Sequence, residues 1–403
     1  MKKIISAVIA FLVLCPFLAA AKSTAKVNDN KPVLERVVVV MRHGIRPPTK
    51  EVFVPQGATN RVWAKWDVPY GHLTAHGGLA IAKLAEFDGG NYHGFLGGDC
   101  KSLRVVADID QRTLKTAEIY GKTIAPKCNI NVEHVALDSV DERFSPFEGK
   151  TNLDSNLMLA SASKQLPEGG FIALHQKYAP LLAKLDKVSG CCAPPLCPDN
   201  KACGLNDLKT DFSIKKGGRV KIDGGLDIAS TMAQVLLLQY SDGKPLSDVG
   251  FGEVSVDDVR ALSEFHALEF GLIARPKVIA KIGAKPLLKE VENGLFAANA
   301  PKYSVFVGHD TNMANIGGAL DLHWVAGDLA ADDPSPGGAL IFEKWRSKKQ
   351  GEYVVVRYRS QTLDEMRTLD NLKPNASKVL SQPQCDAKSS CSAARFKKLL
   401  LAN

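Results

Sequence analysis

The segment Arg42-His43-Gly44-Ile45-Arg46-Pro47-Pro48 sets an imidazole between two permanently charged guanidinium groups. Arginine forks match phosphate oxygens two at a time. Their charge also disfavours the imidazolium form of His43, which leaves a neutral nucleophile at mildly acidic pH. Gly44 is read as allowing a ligand close to the backbone, and Pro47-Pro48 as stiffening the chain behind Arg46. Two further segments carry complementary groups. Asp108-Ile109-Asp110-Gln111-Arg112-Thr113 adds a third guanidinium, and His309-Asp310 adds a second imidazole and a carboxyl group. Together these suit phosphoryl transfer: a nitrogen that attacks, cations for the oxygens, and an acid to protonate the departing oxygen. Any one such loop reads blandly, because charged residues after a strand are usually solvated turn residues. Three loops with complementary groups do not.

Each segment follows a short apolar run, at residues 35–40, 103–107 and 303–307. Continuous β-branched runs of this kind fit strands covered by helices on both faces. In open α/β sheets ligands gather at the carboxyl ends of strands, where loops and helix N-termini meet. Asp110 or Gln111 is positioned to cap a helix that carries Arg112 and runs to about Tyr120. Residues 226–240 and 256–272 have helical spacing. Residues 340–345 and 353–359 read as a hairpin with Lys344 to Lys349 at its turn, and 396–401 as a docking helix. Thr74 reads as a helix N-cap, which breaks any metal-binding register between His72 and His76.

The chain has 403 residues, 45% hydrophobic and 23% charged, enough for one large domain or two that share a cleft. Its net charge of +8 comes without a long basic block, so nucleic acid is disfavoured and a small anionic substrate suits it better. Lys2 and Lys3, the apolar run 4–18 and Ala19-Ala20-Ala21 read as a signal peptide over 1–21, which implies a periplasmic or secreted protein. No later stretch is long and apolar enough to cross a bilayer. Cys15 lies in that leader, and its neighbours Val13-Leu14 and Pro16 fit a lipidation site poorly. The other cysteines are even in number, as disulfides in an exported chain require. Cys100 and Cys128 flank a predicted strand and helix, Cys385 and Cys391 close a short loop, and Cys191, Cys192, Cys197 and Cys203 pair among themselves. A zinc site on those four is disfavoured, since they lack two separated CxxC knuckles. The remaining histidines, His266 among them, have no partner visible in sequence.

The residues resemble the histidine acid phosphatases, the secreted branch of the histidine phosphatases. The family signature R-H-G-x-R-x-P is matched at Arg42 to Pro48 and its H-D signature at His309-Asp310, while the Asp108 to Thr113 stretch resembles the one carrying the third phosphate-binding arginine. The resemblance implies an α/β fold with a mostly parallel central sheet flanked by helices and an inserted smaller α-helical domain. Residues 31–150 and 265–403 would form the catalytic domain and 151–264 the insert. It implies His43 as nucleophile, Asp310 as general acid, and Arg42, Arg46, Arg112 and His309 as ligands of the phosphoryl group. No metal or other cofactor is implied, and a monomer is expected. Thr49-Lys50 looks like the phytase type, where these residues help bind further phosphates. Trp63 to Pro69 looks more like the sugar-phosphatase type, with Trp63 and Trp66 near enough to the signature to touch substrate. Gln234 stands where phytases carry a glutamate on a cleft-lining helix. A periplasmic phosphate-binding protein and a phosphotransferase are the competing readings. The first has no use for His43 opposite an acid, and export disfavours the second.

Overall fold

The computed structural model describes residues 31–402 apart from 149–152, 198, 200, 216–217, 326 and 386. The leader expected over 1–21, with Cys15, lies outside the described residues. In chain order the elements begin with β1 (Val33–Arg42), α1 (Ala75–Leu96), β2 (Leu103–Ala107), α2 (Gln111–Ile124) and β3 (Val132–Glu133). Next come α3 (Ser155–Ser163), α4 (Gly170–Ser189), β4 (Asp211–Ile214), β5 (Val220–Asp223), α5 (Gly225–Ser241), α6 (Val256–Ile273) and α7 (Lys277–Phe296). The chain closes with β6 (Tyr303–Gly308), α8 (Asp310–Leu320), β7 (Ala339–Ser347), β8 (Gly351–Arg359), α9 (Leu363–Thr368), β9 (Ser377–Val379), β10 (Cys391–Ser392) and α10 (Ala393–Ala402).

One sheet runs in the order β10-β8-β7-β1-β6-β2-β3, with β9 beside β8. The strands β1, β6, β2 and β3 are parallel to one another, and the rest join antiparallel. The α/β class and the flanking helices are as expected, but the sheet is mixed. The reason is local: β7 and β8 are joined by a short turn, and strands so joined pair antiparallel. The hairpin itself runs longer than its sequence signal, so Lys344 belongs to β7, where it pairs with Glu35 and Glu352.

The apolar runs explain themselves by parity. Val37, Val39 and Met41 join Val105, Val305 and Val307 under α1 and α2. Val38 and Val40 join Val106 and Phe306 under α7, α8 and α10. With both faces covered, every position from Val37 to Met41 is apolar, and each buried valine contributes about 1.5–3 kcal/mol. On the outer layer Phe396 of α10 packs at 6.1 Å from Phe342, the docking role its pattern implied. Thr74 caps α1 by accepting from the Gly77 amide at 2.8 Å.

The stretch expected as a helical insert holds α3, α4, α5 and the start of α6, together with the small β4–β5 sheet. Its apolar core includes Leu182, Leu236 and Leu262 and takes in Ile45 of the signature loop. The expected boundary at 264/265 falls within α6, so a single helix runs from this core to the site. Disulfides join Cys100 to Cys128 and Cys385 to Cys391. Cys191 is bonded to Cys192 and Cys197 to Cys203, so these four thiols are occupied with one another.

Candidate active site

Three parallel strands end side by side, and their order decides what meets. In β1–β6–β2 the last residues Arg42 and Gly308 are register partners, as are Ala107 and Val307. The signature loop, His309-Asp310 and the loop to Arg112 therefore open onto one point. His43 is fixed by its backbone, with its amide donating to Gly308 at 2.9 Å and its carbonyl accepting from Gly337 at 3.0 Å. Its ring Nδ1 lies 2.8 Å from the Gly44 carbonyl oxygen. A carbonyl only accepts, so the proton sits on Nδ1 and Nε2 keeps its lone pair. Burial, then Arg112, Arg46, Arg42 and His309, hold the imidazole well below its ordinary pKa. The His43 imidazole is thus neutral and oriented by a single side-chain hydrogen bond.

Gly44 has a packing role beyond its sequence reading. A β-carbon there would come within 2.8 Å of Ile81 on α1 and of Leu73 just before it, so the glycine suits the close packing of the loop against these side chains. Its amide donates to Thr116 Oγ1 at 3.1 Å, tying the loop to α2.

Arg42 is fully buried and donates to the Pro334 carbonyl at 2.5 Å and to Gln234 Oε1 at 3.2 Å. It also pairs with Asp310 at 3.0 Å. Arg46 donates to the Pro47 carbonyl at 3.0 Å, and burial followed by Arg42 pushes its guanidinium down to about 9, which leaves it charged in acid. Arg112 is held by Asp110 at 2.6 Å and reaches His309 Nδ1 at 3.5 Å. Asp110 sits at the N-cap of α2 without a side-chain capping bond, because its carboxylate is spent on Arg112. Gln111 accepts instead from the Leu73 amide at 2.9 Å.

His309 is oriented by Asp108, 2.7 Å from Nε2, a partner the sequence left without a role. Asp108, Asp110 and His309 offer ligand atoms within 4.8 Å of one another, as a metal site would. Those atoms are engaged with each other and with Arg112, whose charge opposes a cation there.

Asp310 opens α8, and its Oδ1 accepts from the Thr311 amide at 2.8 Å. Burial raises its carboxyl, but Arg42, His266, Arg46 and His43 outweigh that and hold it well below the usual carboxylate range. His266 is buried and satisfied, and it borders the site although no partner was visible in sequence. Its Nδ1 lies 2.7 Å from Asp333 and its Nε2 4.0 Å from Asp310. The partners lie in loops and helices distant in sequence, so no spacing signal could announce them.

Two hollows meet at this point. One of about 380 Å³ holds His43, Arg112, His309 and, from the helical side, Arg219. The other, of about 470 Å³, holds Lys50, Lys221, Gln234, His266 and Glu269. Arg46, Thr49 and Asp310 line both. Thr49 and Lys50 are exposed at the rim. Trp63 and Trp66 line neither. Trp63 packs edge-on against Phe53 and Phe251, and Phe53 reaches the hollow, as does Phe270.

The model of the histidine phosphatase superfamily (branch 2) matches residues 33–359. The chain is 31% identical to Phytase AppA of Escherichia coli (strain K12), over 96% of this chain and 97% of that one. It is 24% identical to a glucose-1-phosphatase of Providencia rettgeri, over 93% and 92%. Among solved structures, the phytase from Citrobacter braakii superposes with a TM-score of 0.83 at 29% identity, covering 92% of this chain and 98% of that one.

Proposed function

The chain belongs to branch 2 of the histidine phosphatase superfamily and is a phosphoric monoester hydrolase, and from that premise we propose that His43 is its nucleophile and Asp310 its proton donor. The observation that carries this is the state of His43. Its Nδ1 proton is committed to Gly44, so the lone pair of Nε2 stands among Arg42, Arg46 and Arg112. Nε2 bonds to phosphorus while the bond from phosphorus to the leaving oxygen breaks, and Asp310 supplies that oxygen with a proton. Water then attacks the phosphohistidine, the N–P bond breaks, and Asp310 takes a proton back. The three arginines and His309 hold the equatorial oxygens throughout.

An ionised Asp310 has no proton to give, and the substrate resolves this conflict. A phosphate group bound by Arg42 and Arg46 takes up the charge that keeps the carboxyl low and adds negative charge beside it. At acidic pH the ester also arrives as a monoanion and brings the proton with it. The same reading takes 1–21 as a leader that directs export, which N-terminal sequencing of the mature chain tests. It takes 151–264 as the part that walls the leaving group.

Quenching a steady-state reaction in alkali tests the nucleophile. An acid-labile, alkali-stable phosphoenzyme is expected, and it is lost in His43→Ala. A label that survives that substitution assigns the nucleophile elsewhere.

A further inference from the structure

The leaving-group side of the cleft has a charge pattern of its own. Residues three or four apart on a helix share a face. On α5 that face carries Asp227, Ser230, Thr231 and Gln234, and on α6 it carries His266, Glu269 and Phe270. Gln234 marks the inner end, against Arg42. Further out, buried Ser230 donates to Glu269 Oε2 at 2.5 Å and so fixes that carboxylate in the hollow's wall. Asp227 is one turn away on the same face of α5. Of the cations on this wall, Arg46 is given to the reacting phosphate in the reading above, while Lys50 and Lys221 are exposed, so solvent and salt screen the two lysines far more than a half-buried carboxylate.

We propose that Glu269, backed by Asp227, selects the leaving group: the hollow favours alcohols presenting free hydroxyls and disfavours those carrying further phosphates. Hydroxyls donate to a fixed carboxylate in strong, charge-assisted hydrogen bonds. A second phosphate at the same place meets like charge, the repulsive element that specificity usually needs. The proposal rests on the hydrolase reading above.

The discrimination carries a pH dependence. Burial and then Glu269 push the Asp227 carboxyl up to about 7, with Asp223 adding to the effect and Lys221 and Lys215 opposing it. In acid Asp227 is neutral and adds no charge to the wall. Near and above neutral pH it is ionised, and the repulsion grows.

The test compares kcat/KM for glucose 1-phosphate, myo-inositol hexakisphosphate and an aryl phosphate, in the whole protein at about pH 5 and about pH 7.5, on either side of the Asp227 titration. The wild type is expected to favour the sugar phosphate, increasingly so at the higher pH. Glu269→Gln should move the ratio about tenfold toward the hexakisphosphate, mainly through KM. Asp227→Asn should flatten the rise of the ratio with pH. Ratios unchanged in both variants, or a wild-type preference for the hexakisphosphate at both pH values, overturn the proposal. A wild type that releases no phosphate from the aryl ester removes the hydrolase reading, and this proposal with it.

Discussion

The guanidinium of Arg42 lies 3.0 Å from the carboxylate of Asp310, in a position where Asp310 is also 4.0 Å from His266. The acid of the proposed mechanism is therefore held by the same cation that would hold the phosphate. Its proton matters most when the leaving oxygen is basic. Asp310→Asn should lower kcat on alkyl phosphates by about 10²–10⁴-fold, the usual worth of general acid catalysis. On an aryl phosphate, whose leaving group departs without a proton, the loss should stay under about tenfold. Equal losses on the two substrates would argue against Asp310 as the donor.

His43 predicts the acid limb of the pH profile. Its imidazole is held well below the ordinary value, by burial first and by Arg112 next. The neutral, attacking form therefore persists as pH falls through about 6.5, the ordinary histidine value. In aryl phosphate hydrolysis the acid limb of kcat/KM should lie well below that point. Arg112→Ala should weaken binding and also move the limb upward, since the largest opposing charge is gone. A limb that stays in place in that variant would show that Arg112 does not set the state of His43. The same shift has a stability consequence: the folded chain binds this proton less tightly than the unfolded one. The contribution is complete above about 6.5 and is lost as pH falls toward the folded value.

Beneath the signature loop a buried charge pair sets its position. Arg359 and Asp88 are both within 1% of full burial and meet at 2.8 Å. Arg359 also donates to the Gly337 carbonyl at 2.6 Å, and the Gly337 amide donates to the His43 carbonyl. Tyr120 completes the set at 2.7 Å from Asp88. Removing one partner leaves an uncompensated charge, so Asp88→Ala should cost about 3–5 kcal/mol in chemical denaturation. The double replacement Asp88→Leu with Arg359→Met should cost much less than twice that. Additive losses would mean the two residues stabilise the fold independently.

How much of this was legible depended on distance along the chain. The strands were readable because Val37 to Val40 is buried on both faces, and a short, continuous β-branched run suits little besides such a strand. The site was readable because three such runs each end in their functional residues, and parallel neighbours bring strand ends together. The β7–β8 hairpin was readable from its turn, but its place in the sheet, with β7 antiparallel beside β1, had no comparable local signal. His266 with Asp333, Asp108 with His309 and the wall formed by Ser230 with Glu269 were invisible for a related reason. Each joins residues from different elements, and tertiary packing alone sets which helix faces meet. The packing use of Gly44 was likewise invisible, because only the tertiary neighbours Ile81 and Leu73 reveal it.

Asp227 allows a test of the acidic wall that needs no substrate. Its carboxyl is raised from about 3.8 to about 7, first by burial and then by Glu269. A raised carboxyl means that the folded chain holds the proton more tightly than the unfolded chain. No penalty exists below about 3.8. It develops as pH rises toward about 7 and stays constant above that, where the buried group is ionised in both states. Asp227→Asn removes the ionisation and should stabilise the protein at about pH 8 by about 1–3 kcal/mol, a few degrees in Tm, after allowing for partial solvent screening. At about pH 4 the substitution should change Tm little, since aspartate is then largely protonated in the fold and asparagine is of similar size. The comparison is made by calorimetry at both pH values. Equal gains would trace the effect to packing or capping of α5, and no gain at about pH 8 would mean that the carboxylate is not strained by its surroundings.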